Sequence, residues 1–427
     1  MTDPLRILIT GDTFAPDVNG AATFATQLAA GLARRGHEVH VVASATGRGR
    51  QGTRIEEHEG VRFTVHRLRS LRYPGHEWLR FAEPWRIVQN AGSLLDALKP
   101  DVVHFQSHLV VGRGFATAAR ARGIRLIGTN HIMFENLMDH SNIPRMAQGR
   151  ITGALWADAG RVFGRCDAVT TPTRRSADYL EQMAGLDHVH AVSCGLRASD
   201  YTVSPKRNRG TIVFVGRVTS EKRIETAVRA LVRLPKELDA RLQIVGTGDL
   251  VDHLRGLADE LGVGDRVELT GLVSAEELRA RLTGAEVFVM PSTAELQSIS
   301  TMEAMASGLP VVAADAMALP HLVDGNGFLF RPDDDAHLAE QLERVLRASD
   351  EEWLRMRHRS LEMVAPHDIE TTLDTFEALY RGEDVADPVT ELPHLETEDG
   401  RVTLGGEVTV SAPEGADTNV APADESR

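Results

Sequence analysis

The sequence predicts an α/β protein built from two tandem Rossmann-like domains with a cleft between them, and three observations carry that prediction. Its 427 residues exceed one ordinary domain. Short apolar runs alternate with amphipathic segments along most of the chain, the pattern of doubly wound parallel sheets. The alternation is broken once, at a polar stretch over 195–210 that holds Pro205, Lys206, Arg207 and Arg209 and reads as a linker. The expected division is a first domain over 1–198 and a second over 199–365. A helix over 366–382 would cross back to the first domain, and an acidic tail over 383–427 is expected to be disordered.

In the first domain, Leu5–Thr10 is a continuous apolar run, as a parallel strand buried on both faces requires. The loop Gly11–Gly20 follows, then a helical segment over Ala21–Arg35 with Phe24, Leu28 and Leu32 on one face, stopped by Gly36. His37–Ala43 is the next strand. This βαβ unit lacks GxGxxG, so its loop is suited to a ligand other than a dinucleotide. Further strands are expected at Val61–Leu68, Asp101–Gln106, Arg125–Thr129, Ala168–Pro172 and Val189–Ser193. In the second domain they fall at Thr211–Val215, Arg241–Val245, Val267–Thr270, Val287–Pro291 and Val311–Ala314. Helices are expected at Glu221–Leu234, Ala336–Ala348, Glu351–Val364 and Pro366–Arg381. In the tail, Arg401–Val410 has the pattern of a hairpin around Gly405-Gly406.

Composition narrows the function classes. The charged and apolar fractions, 25% and 42%, are those of a soluble globular protein. The net charge of −14 divides into +5 over residues 1–200 and −19 over 201–427. A mildly basic first half suits an anionic surface, and the acidic remainder argues against nucleic-acid binding. Cys166 and Cys194 lack a CxxC partner and read as reduced, buried thiols of a cytosolic protein. The N-terminus has no signal-peptide layout, and no apolar run reaches transmembrane length.

Two stretches carry chemistry. In Thr211–Arg223, Gly216 turns the backbone after a strand, and Arg217 and Lys222 place two cations beside a helix start. That combination suits a diphosphate and its stabilisation as a leaving group, although surface charge on a helix is the alternative. Lys222 stands out because the chain has four lysines against 43 arginines. In Pro291–Pro310, a strand end, a polar loop and a helix opened by Glu303 make a concave site with free N–H groups. Glu295 and Glu303 bracket it. Capping is the alternative for the glutamates, since Ser298 or Ser300 with Glu303 mimics a capping box, and a glycosidase acid–nucleophile pair is another. The adjoining cations favour a ligand with both phosphate and hydroxyls, as a nucleotide sugar has.

Glu-x7-Glu after an FVMPS strand, followed by EAMASGLPVVA, resembles the signature of retaining nucleotide-sugar glycosyltransferases of the two-domain GT-B fold. FVGRVTSEKR, IVGTGDL, LTGLVSAEEL, Ser193-Cys194-Gly195 and GNGFLFRPDD follow the same family pattern in order, over roughly residues 5–382. The resemblance implies that Glu303 holds the donor ribose and Glu295 the transferred hexose. It implies that Arg217 and Lys222 hold the diphosphate with Gly216 beneath it, and that Gly271, Leu272 and Val273 meet the base. From the first domain it brings Gly20 to the phosphates and His131 to the hexose near the reacting carbon; a packed loop histidine is the alternative for His131. Many members have Phe-Gly where this chain has Gln297-Ser298, so Gln297, Ser298 and Ile299 are expected to touch the donor and select its sugar. His321 stands where an acid often follows the proline.

His104, His108 and His140 lack metal-ligand spacing, Asp333–Asp335 reads as helix capping, and the fold generally needs neither metal nor other cofactor. Glu295-Leu-Gln297 and NHIMFEN are most similar to the subgroup that glycosylates diacylglycerol. The resemblance therefore implies transfer of a hexose, UDP-glucose being the favoured donor, to a membrane lipid. GDP-mannose with an inositol lipid, a small soluble acceptor, and a non-catalytic nucleotide-sugar-binding protein are the alternatives. Residues 66–86 interleave Arg67, Arg69, Arg72, Arg80 and Arg86 with Tyr73, Trp78, Phe81 and Trp85. This pattern suits docking on the inner, anionic face of a membrane, or else a helical arm packed on the first domain.

Overall fold

The computed structural model describes residues 3–17, 19–47, 50–72, 80–134, 145–204, 206–386, 397–398, 401–404 and 408–411. The first sheet is formed by β1 (Arg6–Gly11), β2 (Glu38–Ser44), β3 (Gly52–His58) and β4 (Val61–Leu68), with β7 (Val102–Phe105), β8 (Arg125–Thr129), β9 (Ala168–Thr171) and β10 (His190–Ala191) on its other side. β5 (Ser70–Arg72) and β6 (Arg80–Ala82) pair separately as an antiparallel ribbon. The strand order is β10-β9-β8-β7-β1-β2-β4-β3, parallel except for β3. β3 escaped the sequence reading because it lies at the sheet edge and is mostly exposed, without the apolar run that marks a central strand.

The second sheet holds β11 (Thr211–Val215), β12 (Arg241–Val245), β13 (Val267–Gly271), β14 (Val287–Met290), β15 (Val311–Ala314) and β16 (Gly327–Phe330) in the order β13-β12-β11-β14-β15-β16, all parallel. β11, β14 and β15 are almost wholly buried, which their continuous apolar sequence requires. β16, within GNGFLFRPDD, is a strand that the sequence reading did not include. Its ladder with β15 is possible because Gly327 has no Cβ, which would stand 1.8 Å from the Val311 carbonyl oxygen.

In each sheet the chain order reverses once. β1 lies between β2 and β7, and β11 lies between β12 and β14. Connections from the two strands flanking a reversal leave on opposite faces and open a crevice at the carboxyl ends, where ligands of such sheets bind. The loops holding Gly20 and Gln106 flank the first crevice. The turn Gly216–Lys222 and the loop 291–298 flank the second.

The helix Ile369–Arg381 packs on the first domain, after a 3-10 turn at Ala365–His367 that interrupts the longer helix expected there. Phe376 packs on Phe24 and His104 at 5.8 and 5.0 Å between ring centroids, and Tyr380 Oη lies 2.8 Å from His104 Nδ1. Leu373 fills the space a Cβ on Gly31 would take, and Arg35 pairs with Glu370, Asp374 and Glu377. Burying Leu373, Phe376, Leu379 and Tyr380 contributes roughly 1.5–3 kcal/mol each, enough to hold a helix that is marginal alone.

One further expectation is corrected. Residues 66–72 and 80–82 form the end of β4 and the β5–β6 ribbon rather than a helical arm; residues 73–79, with Tyr73 and Trp78, lie outside the described residues. In the tail, β17 (Thr397–Glu398), β18 (Arg401–Leu404) and β19 (Val408–Ser411) pair antiparallel, and β18 with β19 gives the hairpin pairing expected there. The rest of 387–427 lies outside the described residues.

Candidate functional site

Lys222 and Glu295 come together across the crevice of the second sheet. Lys222 ends the 3-10 turn Ser220–Lys222 after β11, and its Nζ donates to Glu295 Oε1 in the loop after β14. Backbone bonds tie the two loops. Thr293 N and Ser292 Oγ both donate to the Glu221 carbonyl, at 3.3 and 3.2 Å. The Glu221 carboxylate is buried and accepts from Thr219 Oγ1 at 2.7 Å and Arg217 Nη2 at 3.1 Å. Burial pushes its pKa up, but these donors and the charges of Arg217 and Lys222 outweigh burial, so it is held below the usual range and stays ionised. Glu221 thereby fixes Arg217 beside Lys222, a role invisible in a sequence that read it as the first residue of a surface helix.

Two glycines of IVGTGDL let this turn close on its neighbour. A Cβ on Gly246 would sit 1.9 Å from the Gly216 carbonyl oxygen, and one on Gly248 would sit 2.2 Å from that of Val218. Gly271, at φ +72°, accepts from Gly246 N at 3.0 Å, which leads the chain into Leu272, 62% exposed, and the half-buried Val273. Gly216, Gly246 and Gly271 thus line up along the ends of the three adjacent strands β11, β12 and β13, with Leu272 and Val273 following the last.

The helix after β14 begins earlier than expected. It spans Ile299–Ala306, so Glu303 lies mid-helix rather than opening it, and no capping box forms. Ser298 is the N-cap in the left-handed region (φ +76°, ψ +81°), and its Oγ bonds Thr301 Oγ1 at 2.8 Å. No side chain caps the first turn and it holds no acid, so its backbone donors keep their affinity for an anion. From the first domain, the helix Gly20–Arg34 presents its own N-terminus, capped by Asn19. The two N-termini meet: a Cβ on Gly20 would lie 4.0 Å from Ile299 Cδ1.

Glu303 is enclosed and accepts a hydrogen bond from Tyr201 Oη at 2.7 Å. Burial raises its pKa, opposed by that bond and by the charge of Arg279. His131 follows β8, beside Phe24 at 5.2 Å, with Nε2 3.0 Å from Gln106 Oε1. Gln106 Nε2 continues to His104, which reaches Thr129 and Tyr380. Burial lowers His131 to about 4, so it is neutral near pH 7. Donation from Nε2 to the amide oxygen leaves Nδ1 as an acceptor.

Gln297 is where expectation and structure part. Its Oε1 accepts from Cys194 N at 2.9 Å and its Nε2 donates to Ser193 Oγ at 2.8 Å, with His367 Nδ1 3.0 Å from the same hydroxyl. The amide is committed to the segment joining the two domains, which corrects its assignment as a sugar-selecting contact. Ser193-Cys194-Gly195 belongs to this joint rather than to the donor crevice.

Of the proposed membrane-facing arginines, Arg67 is buried against Glu56, and Arg80 bonds Ser70 and the Ala45 carbonyl. Both are structural, a second correction. Trp85, 70% exposed, the exposed Arg86, and Val88, 49% exposed, remain at the start of the helix Ile87–Leu98. Asp334 caps the helix Asp335–Arg347 through His337 N, as its position suggested. No group of three or more potential metal ligands occurs among the described residues. Cys166 and Cys194 are free thiols, and burial pushes Cys194 up to about 12. No helix among the described residues is long and apolar enough to cross a membrane.

Both domains are similar to known glycosyltransferases. Residues 209–348 match the family model described as glycosyl transferases group 1, and residues 18–200 match that described as glycosyltransferase family 4. A GDP-mannose-dependent alpha-mannosyltransferase of Mycolicibacterium smegmatis is 30% identical over 325 residues, 73% of this chain and 80% of that protein. An alpha-monoglucosyldiacylglycerol synthase of Streptococcus pneumoniae is 24% identical, over 76% of this chain and 74% of its own. The solved structure of sucrose-phosphate synthase from Thermosynechococcus elongatus superposes with a TM-score of 0.74 at 20% identity, covering 88% of this chain and 98% of the other. The two-domain arrangement is the GT-B fold.

Proposed function

The chain belongs to the glycosyltransferases of group 1 and family 4, and from that premise we propose that it moves a hexosyl group from a nucleoside diphosphate hexose to a lipid acceptor, with retention at the anomeric carbon. The observation that carries the reading is the joining of Arg217, Lys222 and Glu295 at one crevice, one helix away from Glu303. An incoming diphosphate competes with Glu295 for Lys222. Once Lys222 turns to phosphate, the Glu295 carboxylate is released to accept from hexose hydroxyls. The acceptor oxygen bonds to the anomeric carbon on the face that the diphosphate leaves, the bond from that carbon to the phosphate oxygen breaks, and the acceptor proton passes to the departing phosphate. Arg217, Lys222 and the first-turn N–H groups stabilise the charge that develops there. Two fixed cations take the role a divalent ion plays elsewhere, so transfer is metal-independent in this reading.

The pneumococcal relative supports transfer of glucose to diacylglycerol. The mycobacterial relative is the more similar of the two and supports a second reading, with GDP-mannose as donor. The test is a screen of UDP- and GDP-hexoses with diacylglycerol, inositol-lipid and small soluble acceptors, with and without EDTA, the product's anomeric configuration being read by NMR. We expect turnover with one donor, retained configuration, no loss in EDTA, and a fall of at least about 100-fold in Glu303→Ala or Lys222→Ala. Undiminished activity in Glu303→Ala sinks the site. Binding of nucleotide sugar without transfer to any acceptor makes the chain a binding protein instead.

A further inference from the structure

Tyr201 lies in the segment between the two domains, 102 residues before the carboxylate it bonds. Its hydroxyl donates to Glu303 Oε1 at 2.7 Å from a largely enclosed position. The terminal torsion of a glutamate is broad and nearly two-fold, so an unheld carboxylate samples many orientations. One strong donor on one oxygen removes that freedom and still leaves lone pairs on both oxygens. The partner is the carboxylate that the family resemblance assigns to the donor ribose, a vicinal diol whose two hydroxyls need a carboxylate plane set in advance. Arg279, on the helix Ala275–Thr283, stands near enough to stabilise both the Glu303 carboxylate and a Tyr201 phenolate electrostatically, but hydrogen-bonds to neither. Tyr201 is therefore the residue whose contact fixes Glu303. The same segment is anchored beyond the crevice. Leu196 N donates to the His367 carbonyl at 2.7 Å, and Ile369 N returns to Leu196 at 3.1 Å.

We propose that Tyr201 is a positioning residue that holds the Glu303 carboxylate in the plane needed to accept the ribose 2′- and 3′-hydroxyls, so that it sets the discrimination between ribo- and deoxyribonucleotides. This rests on the nucleotide-sugar reading above.

The test is Tyr201→Phe, which removes only the oxygen. Affinities for UDP, GDP and their 2′-deoxy counterparts are measured by calorimetry, and KM and kcat by transfer assay. The variant should bind the preferred ribonucleotide about 10-fold more weakly. Its affinity for the deoxy form should change much less, so the ribo-to-deoxy ratio narrows. KM should rise with kcat within about twofold. The acid limb of binding should move to higher pH, because losing the phenol donor lifts the carboxylate further above its ordinary range. In a Glu303→Ala background, Tyr201→Phe should have no added effect. Equal weakening of ribo- and deoxynucleotides, or an unmoved acid limb, overturns the proposal and leaves a packing role. If Tyr201→Phe does not fold, the proposal stands or falls on Glu303→Gln in the parent chain: an unchanged ribo-to-deoxy ratio there overturns it. Failure of the parent to bind any of the four nucleotides overturns the nucleotide reading itself.

Discussion

Ser298 occupies a backbone conformation that costs an L-residue roughly 1–2 kcal/mol relative to glycine. Its hydroxyl bond to Thr301 contributes about 1 kcal/mol in return. Strain at the N-cap of a site-forming helix is retained where the surrounding structure holds it. Urea denaturation should therefore find Ser298→Gly more stable than Ser298→Ala by about 1 kcal/mol, since alanine keeps the Cβ and loses the bond. Equal stabilities would mean that the position carries no strain. The family resemblance marked position 298 as one where many members carry glycine, but the backbone angle itself was not legible. Glu303 was expected to open a helix and lies in its middle. The capping-box spacing that was its alternative is met in the sequence but not used, because side-chain capping is decided by where the chain turns.

The helix Ile87–Leu98 shows the same limit one level up. An interleaving of arginine and aromatic residues signals an interface only if those side chains share a face. Here β4 sends Arg67 inward to Glu56 on the edge strand β3 and over the Phe14 ring at 5.5 Å, and Arg80 turns onto the β5–β6 ribbon. The helix start keeps Trp85, Arg86 and Val88 outside. If the acceptor is drawn from a bilayer, these are the residues to meet it, with an aromatic and an aliphatic side chain entering the headgroup region beside a cation. Sedimentation with phosphatidylglycerol vesicles should show at least about a fivefold loss for Trp85→Ala/Arg86→Glu, from the lost charge attraction and ring burial. Arg69→Gln, where an exposed arginine loses its pair with the buried Glu83, should change it little. Unchanged sedimentation of the double variant would remove this helix from membrane contact.

For the whole molecule, six buried or largely buried histidines dominate the response to acid. Burial depresses His66, His108, His131, His321 and His367 to about 4 and His104 to about 3, with neighbouring charges adding in several cases. An unfolded histidine titrates near 6.5, so between about pH 6.5 and 4 the unfolded chain binds more protons than the folded one. Their contribution is complete above pH 6.5, is lost as pH falls through that window, and levels off below it. Each histidine adds up to about 1.4 kcal/mol per pH unit. Tm should therefore fall steeply from pH 6.5 to 4. His108 is packed between Phe134 and Phe163 with neither ring nitrogen bonded, so His108→Leu should raise Tm at pH 5 more than at pH 8. A uniform shift at both pH values would show that His108 titrates normally in the folded protein.

The sequence by itself determined the two parallel sheets and the identity of most residues at the crevice. Central parallel strands must be continuously apolar, and strand-end loops with Gly216, Lys222, Glu295 and Glu303 carry their chemistry in their residue types. Edge strand β3, the short β16, the fixing of Arg217 by Glu221, the commitment of Gln297 to the interdomain joint and the hold of Tyr201 on Glu303 belonged to the tertiary structure alone. Each depends on partners far apart in the chain or on the direction a side chain takes from a turn, and neither distance nor direction is written in local composition or periodicity.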